Sequence, residues 1–128
     1  ALRKQLPAFV GQAFERLGQE WLRHQGAAGR LPFEPDRVGG WWDRRGQVDV
    51  VALNRAERVI LLGEAKWLNR PVGVDVLESL KRRGARAVPD PSWTVHYILF
   101  SRSGFTTELR RQAERERLML VSLEEMVT

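Results

Sequence analysis

The chain contains no cysteine, only two histidines, two methionines and one tyrosine among its 128 residues. The lack of cysteine excludes disulfide staples and thiolate metal sites. With only His24 and His96 available, a zinc site would have to lean on carboxylates, and none is expected. No apolar run approaches the roughly 18 residues that a membrane span needs, so no membrane association is expected. No signal-peptide pattern is read at the start, and a cytoplasmic location is expected. No P-loop pattern occurs, so any ATP hydrolysis would have to come from another module.

What is present is ordinary for a folded domain: 43% hydrophobic and 29% charged residues. This length supports one domain with a real core. The chain opens on Ala1 rather than methionine, and the expectation is a single domain, residues 1–128, cut from a longer protein. The net charge is +5 and the isoelectric point near 10.6, carried almost entirely by arginine. Such an excess favours a polyanionic partner, because Lys and Arg contacts to phosphates supply most non-specific nucleic-acid affinity. A solvated surface laced with ion pairs is the alternative.

Apolar periodicity sets the elements. Leu6, Phe9, Val10, Ala13, Phe14, Leu17 and Trp21 recur at helical spacing, predicting an amphipathic helix from about Leu6 to Gln25. Glu15 falls at one edge of that stripe between Gly11 and Gly18, glycines that suggest a closely approaching backbone. Glu20 falls at the other edge. Three strands are predicted next: Arg37 to Trp42, weakened by Gly39 and Gly40, then Gln47 to Leu53, then Val59 to Trp67. β-Branched residues mark the second, and Asn54 to Arg58 suits a hairpin connection. A helix is expected from Gly73 to about Arg86, a strand from Trp93 to Phe100, and a helix reaching about Glu116. A short strand from Leu118 to Val121 and a terminal helical turn after Ser122 complete the chain. The order α-βββ-α-β-α-β describes an α/β domain with a mixed sheet and helices packed on it.

Side chains alternate along a strand, so Glu64 and Lys66 should share a face with Ile60 and Leu62, and Asp49 with Val51 and Leu53. An antiparallel hairpin that sets Leu53 opposite Ile60 sets Val51 opposite Leu62 and Asp49 opposite Glu64. Two facing carboxylates repel. A divalent cation resolves the repulsion, and hard oxygen ligands suit Mg²⁺ or Mn²⁺. Lys66 would orient or activate a water beside that cation, the chemistry of phosphodiester hydrolysis. Glu15 is placed to complete the site as an outer ligand. The competing reading makes Asp49, Glu64 and Lys66 a surface salt-bridge cluster at a strand end.

Phe14-Glu15 on a helix, VDVVA (Val48 to Ala52) on a strand and GEAKW (Gly63 to Trp67) on the next resemble the PD-(D/E)XK, or restriction-endonuclease-like, superfamily. Archaeal Holliday-junction resolvases and Mrr-type endonucleases have similar layouts. Together with VGGWWDRRGQVDVVAL, LFSRSGF resembles more closely the nuclease-like domain C-terminal to ATPase modules in archaeal-type AAA proteins. The resemblance implies a central mixed sheet flanked by helices, and a metal-dependent DNA endonuclease using Mg²⁺ or Mn²⁺. Asp49 and Glu64 would be direct metal ligands and the Ala65 carbonyl a third. Lys66 would position water and Glu15 would be an accessory acid. Gln47 stands where many such domains carry an acidic residue. The resemblance also admits a non-catalytic DNA-binding or regulatory domain of a multidomain ATPase. An N-terminal ATPase module is the partner it suggests beside DNA, and a homodimer is expected because cutting both strands of a duplex calls for two sites.

Lys81, Arg82, Arg83 and Arg86 form a basic run late in the second helix, and Arg102 lies before Gly104. These are candidate phosphate contacts, or else a solvated face at a helix C-terminus. The loop from Ser101 to Thr106 offers either backbone donors to a phosphate or an ordinary helix cap. Trp41 and Trp42 sit on alternate faces of one strand, which favours one ring in the core and one on an edge over a pair of base-stacking platforms. Trp67 is expected to pack beside the site, and His96 to be a core or face residue.

Overall fold

The computed structural model describes residues 2–128, with side chains described from Ala8 onward. Leu6 of the predicted apolar stripe lies outside the described side chains. The elements run α1 (Leu2–Ala27), β1 (Arg37–Asp43), β2 (Gly46–Asn54), β3 (Val59–Lys66), α2 (Val74–Gly84), β4 (Thr94–Ser101), α3 (Thr107–Ala113), β5 (Leu118–Ser122) and α4 (Leu123–Val127), with a short 3₁₀ turn at Ala85–Ala87. The expected order holds throughout. The five strands form one sheet in the order β1-β2-β3-β4-β5. β1, β2 and β3 are antiparallel neighbours, whereas β3, β4 and β5 are parallel. α2 and α3 are the crossovers that parallel pairing requires.

The sheet is covered on both faces. Leu77 and Leu80 of α2 and Leu109 of α3 pack with Val48, Val51, Ile60, Leu62 and Leu99 on one side. Phe14 and Leu22 of α1 pack with Val50, Ala52, Leu61, Ile98 and Phe100 on the other, joined by Leu123 and Met126 of α4. β3 lies between these layers, and every residue from Ile60 to Ala65 is buried. That burial explains its unbroken apolar run. A Cβ on Gly63 would lie 2.6 Å from Ile98 Cγ2, so only glycine fits between β2 and β4 there.

Three local expectations change. Gly18 admits the ring of Phe100, which a Cβ would meet at 3.1 Å, rather than another backbone, and a Cβ on Gly11 would meet nothing within 4 Å among the described residues. α3 stops at Ala113 instead of about Glu116, because the chain must turn at once for Leu118 to pair with Tyr97 on β4. The third change matters most. Pairing between β1 and β2 passes from Gly39↔Val51 to Trp41↔Val48, so β2 carries one extra residue opposite Gly40. This bulge places Val48 and Val51 in the same apolar layer, and strict alternation through Asp49 fails.

Candidate active site

β2 and β3 pair in the register read from their apolar residues, including Leu53↔Ile60 and Val51↔Leu62, but the ladder ends at Val50↔Gly63. Asp49 and Glu64 are therefore not a cross-strand pair. Instead the Asp49 side chain occupies the place of the next ladder bond, where its Oδ2 accepts the Ala65 N–H at 3.2 Å. The bulge frees Asp49 for this role. Its backbone is pinned as well, since Gln19 Nε2 of α1 donates to the Asp49 carbonyl at 2.9 Å. Gln47, the residue expected to be acidic, donates from Nε2 to Asp49 Oδ1 at 3.2 Å. A neutral amide thus steadies the carboxylate where an acid would have repelled it.

α1 sets Glu15 close enough to Asp49 for the two carboxyls to influence each other. Burial, then the negative charge of Asp49, pushes the Glu15 carboxyl up to about 7. The Asp49 carboxyl is also raised by burial, although the Ala65 N–H pulls against the shift. Both shifts come first from burial and then from the neighbouring carboxylates, the pattern that burial and like charge produce where carboxyls share one half-buried place.

Glu64 is buried at the end of β3 and has cationic partners on two sides. Lys66 Nζ lies 3.2 Å from its Oε2, and the Arg83 guanidinium of α2 bonds its Oε1. Arg83 also donates to the Gln47 carbonyl at 2.6 Å and to Ser79 Oγ at 3.2 Å. The sequence offered Arg83 as a phosphate contact, but the fold turns it inward as the counter-charge of Glu64.

The remaining basic candidates separate. Lys81 bonds Glu116 at 2.7 Å, on the other side of α2. Arg86 bonds Asp43 at 2.7 Å and covers the Trp41 ring at 5.9 Å. Arg82 is exposed. Arg102 stacks over Trp67 at 4.7 Å and donates to Asn69 Oδ1 at 2.9 Å. Trp67 in turn meets Phe14 edge-on at 5.2 Å, next to Glu15. Thr106 caps α3, its hydroxyl accepting the Leu109 N–H at 3.2 Å. The amides of Arg102, Ser103 and Thr106 are bonded within the protein, so they offer a phosphate nothing. His96 is half-buried 6.1 Å from the Phe33 ring, away from the carboxylates.

The donor set suits a hard divalent cation. The N–H and C=O of one strand residue project from the same edge, so the Ala65 carbonyl faces the same side as Asp49, beyond the end of the ladder. Glu15, Asp49 and this carbonyl are the available oxygens, and Glu64 joins them by displacing Arg83 or by sharing its carboxylate with it. Among the described residues, no three Asp, Glu or His side chains are gathered to hold a metal ion as they stand.

Residues 1–87 match the family DUF234, described as archaea bacterial proteins of unknown function. The chain belongs to this family. It is similar to the uncharacterized protein MJECL04 of Methanocaldococcus jannaschii, 34% identical over 59 residues, which cover 46% of this chain and 13% of that protein. It also resembles the crystal structure of a repair endonuclease from Pyrococcus abyssi, with a TM-score of 0.52 and 22% identity. That likeness covers 78% of this chain and 42% of the other. The fold of this DUF234 domain is restriction-endonuclease-like, a mixed sheet flanked by helices. No helix among the described residues is long and apolar enough to cross a membrane.

Proposed function

We propose that the domain is a metal-dependent nuclease that hydrolyses phosphodiester bonds in DNA. The observation that carries this reading is the pairing of Glu15 with Asp49, half-buried at the open end of the β2–β3 ladder beside Glu64 and Lys66. Asp49, Glu64 and the Ala65 carbonyl would hold Mg²⁺ or Mn²⁺, with Glu15 as the outer acid. Bound there, the cation would supply Lewis-acid polarisation of the phosphoryl oxygen and a more acidic water. Lys66 positions the attacking water and donates to the phosphoryl oxygen. The Ala65 N–H and Gln47 hold Asp49 in one orientation, so the ligand geometry is set before substrate arrives.

A second reading has its own observation. The Arg83–Glu64 ion pair already compensates one carboxylate, as suits a non-catalytic DNA-binding or regulatory domain. In either case the chain spans 13% of MJECL04 and 42% of the repair endonuclease chain. We propose that it is one module of a larger protein and, as the sequence resemblance implies, that an ATPase module lies N-terminal to it.

Calorimetric titration of Mn²⁺ into the domain and into Asp49→Ala tests the metal site, with binding expected only in the first. Glu64→Ala and Lys66→Ala should each lower cleavage at least about 100-fold, the scale on which single catalytic groups act, while the fold persists by circular dichroism. Equal cutting by wild type and both variants would remove the assignment. DNA binding that ignores EDTA, with no Mn²⁺ heat and no cutting, would select the second reading.

A further inference from the structure

The end of β1, beside its turn into β2, carries an aromatic ring that packing does not use. Trp41 turns toward the α2 layer and packs against it. Trp42, one alternation later, is 77% exposed. Its cross-strand partner is Gln47, and directly paired residues put their side chains on the same face of the sheet. Gln47 reaches Asp49 Oδ1 at 3.2 Å. An exposed indole therefore stands one strand away from the carboxylates, on the face that α1 covers further along.

The turn itself is fixed. Asp43 Oδ1 accepts the amides of Arg45 at 2.8 Å and Gly46 at 3.1 Å. Its other oxygen accepts Arg86 Nε, from the 3₁₀ turn that follows α2, at 2.7 Å. Arg44 and Arg45 at the tip are exposed, and neither has an ion-pair partner among the described residues. A rigid platform loses less freedom on binding than a mobile loop, so more of the contact energy survives as affinity.

We propose that the β1–β2 hairpin engages an unpaired stretch of the DNA strand, Trp42 stacking on an exposed base while Arg44 and Arg45 hold the flanking phosphates. A duplex hides its base faces, whereas a single strand or a splayed junction offers them to an aromatic ring. The basic tip complements the backbone on either side of that base. The inference rests on the nuclease reading of the same site and names its substrate class: DNA with unpaired bases at the point of cutting.

Fluorescence anisotropy in EDTA, with a labelled single strand, a fork and a blunt duplex of matched sequence, reads binding without cutting. The wild-type chain should prefer the strand and the fork. Trp42→Ala should weaken both about tenfold, the scale of one lost base stack, and leave the duplex unchanged. Trp42→Phe should recover most of the loss. Because the ring is exposed, the thermal midpoint of Trp42→Ala should match wild type. Unchanged affinity for the single strand, or an equal loss on the duplex, would overturn the assignment. So would conversion of a dimer to a monomer with DNA affinity intact, which would make the hairpin a self-association surface. Cutting is assayed separately with Mn²⁺. A chain that binds as expected but does not cut loses the nuclease reading and keeps the hairpin assignment. One that cuts while Trp42→Ala binds normally does the reverse.

Discussion

At the scale of single residues, Glu15 is the most informative group. In the unfolded chain it titrates at the ordinary carboxylate value of 4.5, and in the fold at about 7. Between these values the native state holds a proton that the unfolded state has lost. The contribution of Glu15 to stability is therefore fully present below about pH 4.5 and is lost as pH rises through 7. Asp49 is shifted in the same direction and adds to the trend. Urea denaturation of the metal-free domain should show stability falling from pH 5 to pH 8, and Glu15→Gln should flatten the decline. Mn²⁺ binding should run the opposite way and strengthen as the carboxyls lose their protons. Metal-free stability that rises over this range would mean that Glu15 does not face Asp49 in solution.

At the scale of elements, α2 governs whether Glu64 is available. Arg83 bridges the helix to β3 through Glu64 and to β2 through the Gln47 carbonyl. A cation bound by Glu64 must displace the guanidinium or share the carboxylate with it. Arg83→Met keeps the aliphatic reach and removes the charge-assisted bond, which contributes about 1.5–3 kcal/mol. Calorimetry should then show Mn²⁺ binding about tenfold tighter, while urea denaturation shows the metal-free domain less stable. Unchanged Mn²⁺ affinity would mean that Arg83 does not compete. Elements also show what could be read from sequence. The register of β2 on β3 follows from matching Val51 and Leu53 to Leu62 and Ile60, since a slip would bury charge. The bulge at Asp49 has no such signature: Gly39 and Gly40 hint at irregularity, but the position of the extra residue depends on how β1 packs. Arg83 was recognisable as basic, yet its partner lies 19 residues away in sequence. Its place three residues after the buried Leu80, on the flank of α2 that meets the sheet, was the available clue.

For the molecule as a whole, the net charge of +5 says less than the distribution of its charges. Arg23, Lys66, Lys81, Arg83 and Arg86 are each held by a carboxylate within the protein. A cation already paired releases few counterions when DNA arrives, whereas one freely hydrated at the tip of a hairpin can neutralise a phosphate. The salt dependence of binding counts such contacts, with a slope of about 0.7 per phosphate on a single strand. Replacing Arg44 and Arg45 together by alanine should lower the slope of log affinity against log salt by about 1.4. Lys81→Ala removes a charge as well, but one bonded to Glu116 at 2.7 Å, and should leave the slope unchanged. If both variants lower it in proportion to the charge removed, the overall field of the protein attracts DNA and the hairpin has no special part. A drop confined to the double variant would place the phosphates at the tip of β1 and β2, beside Gln47 and Asp49, where a strand must pass to be cut.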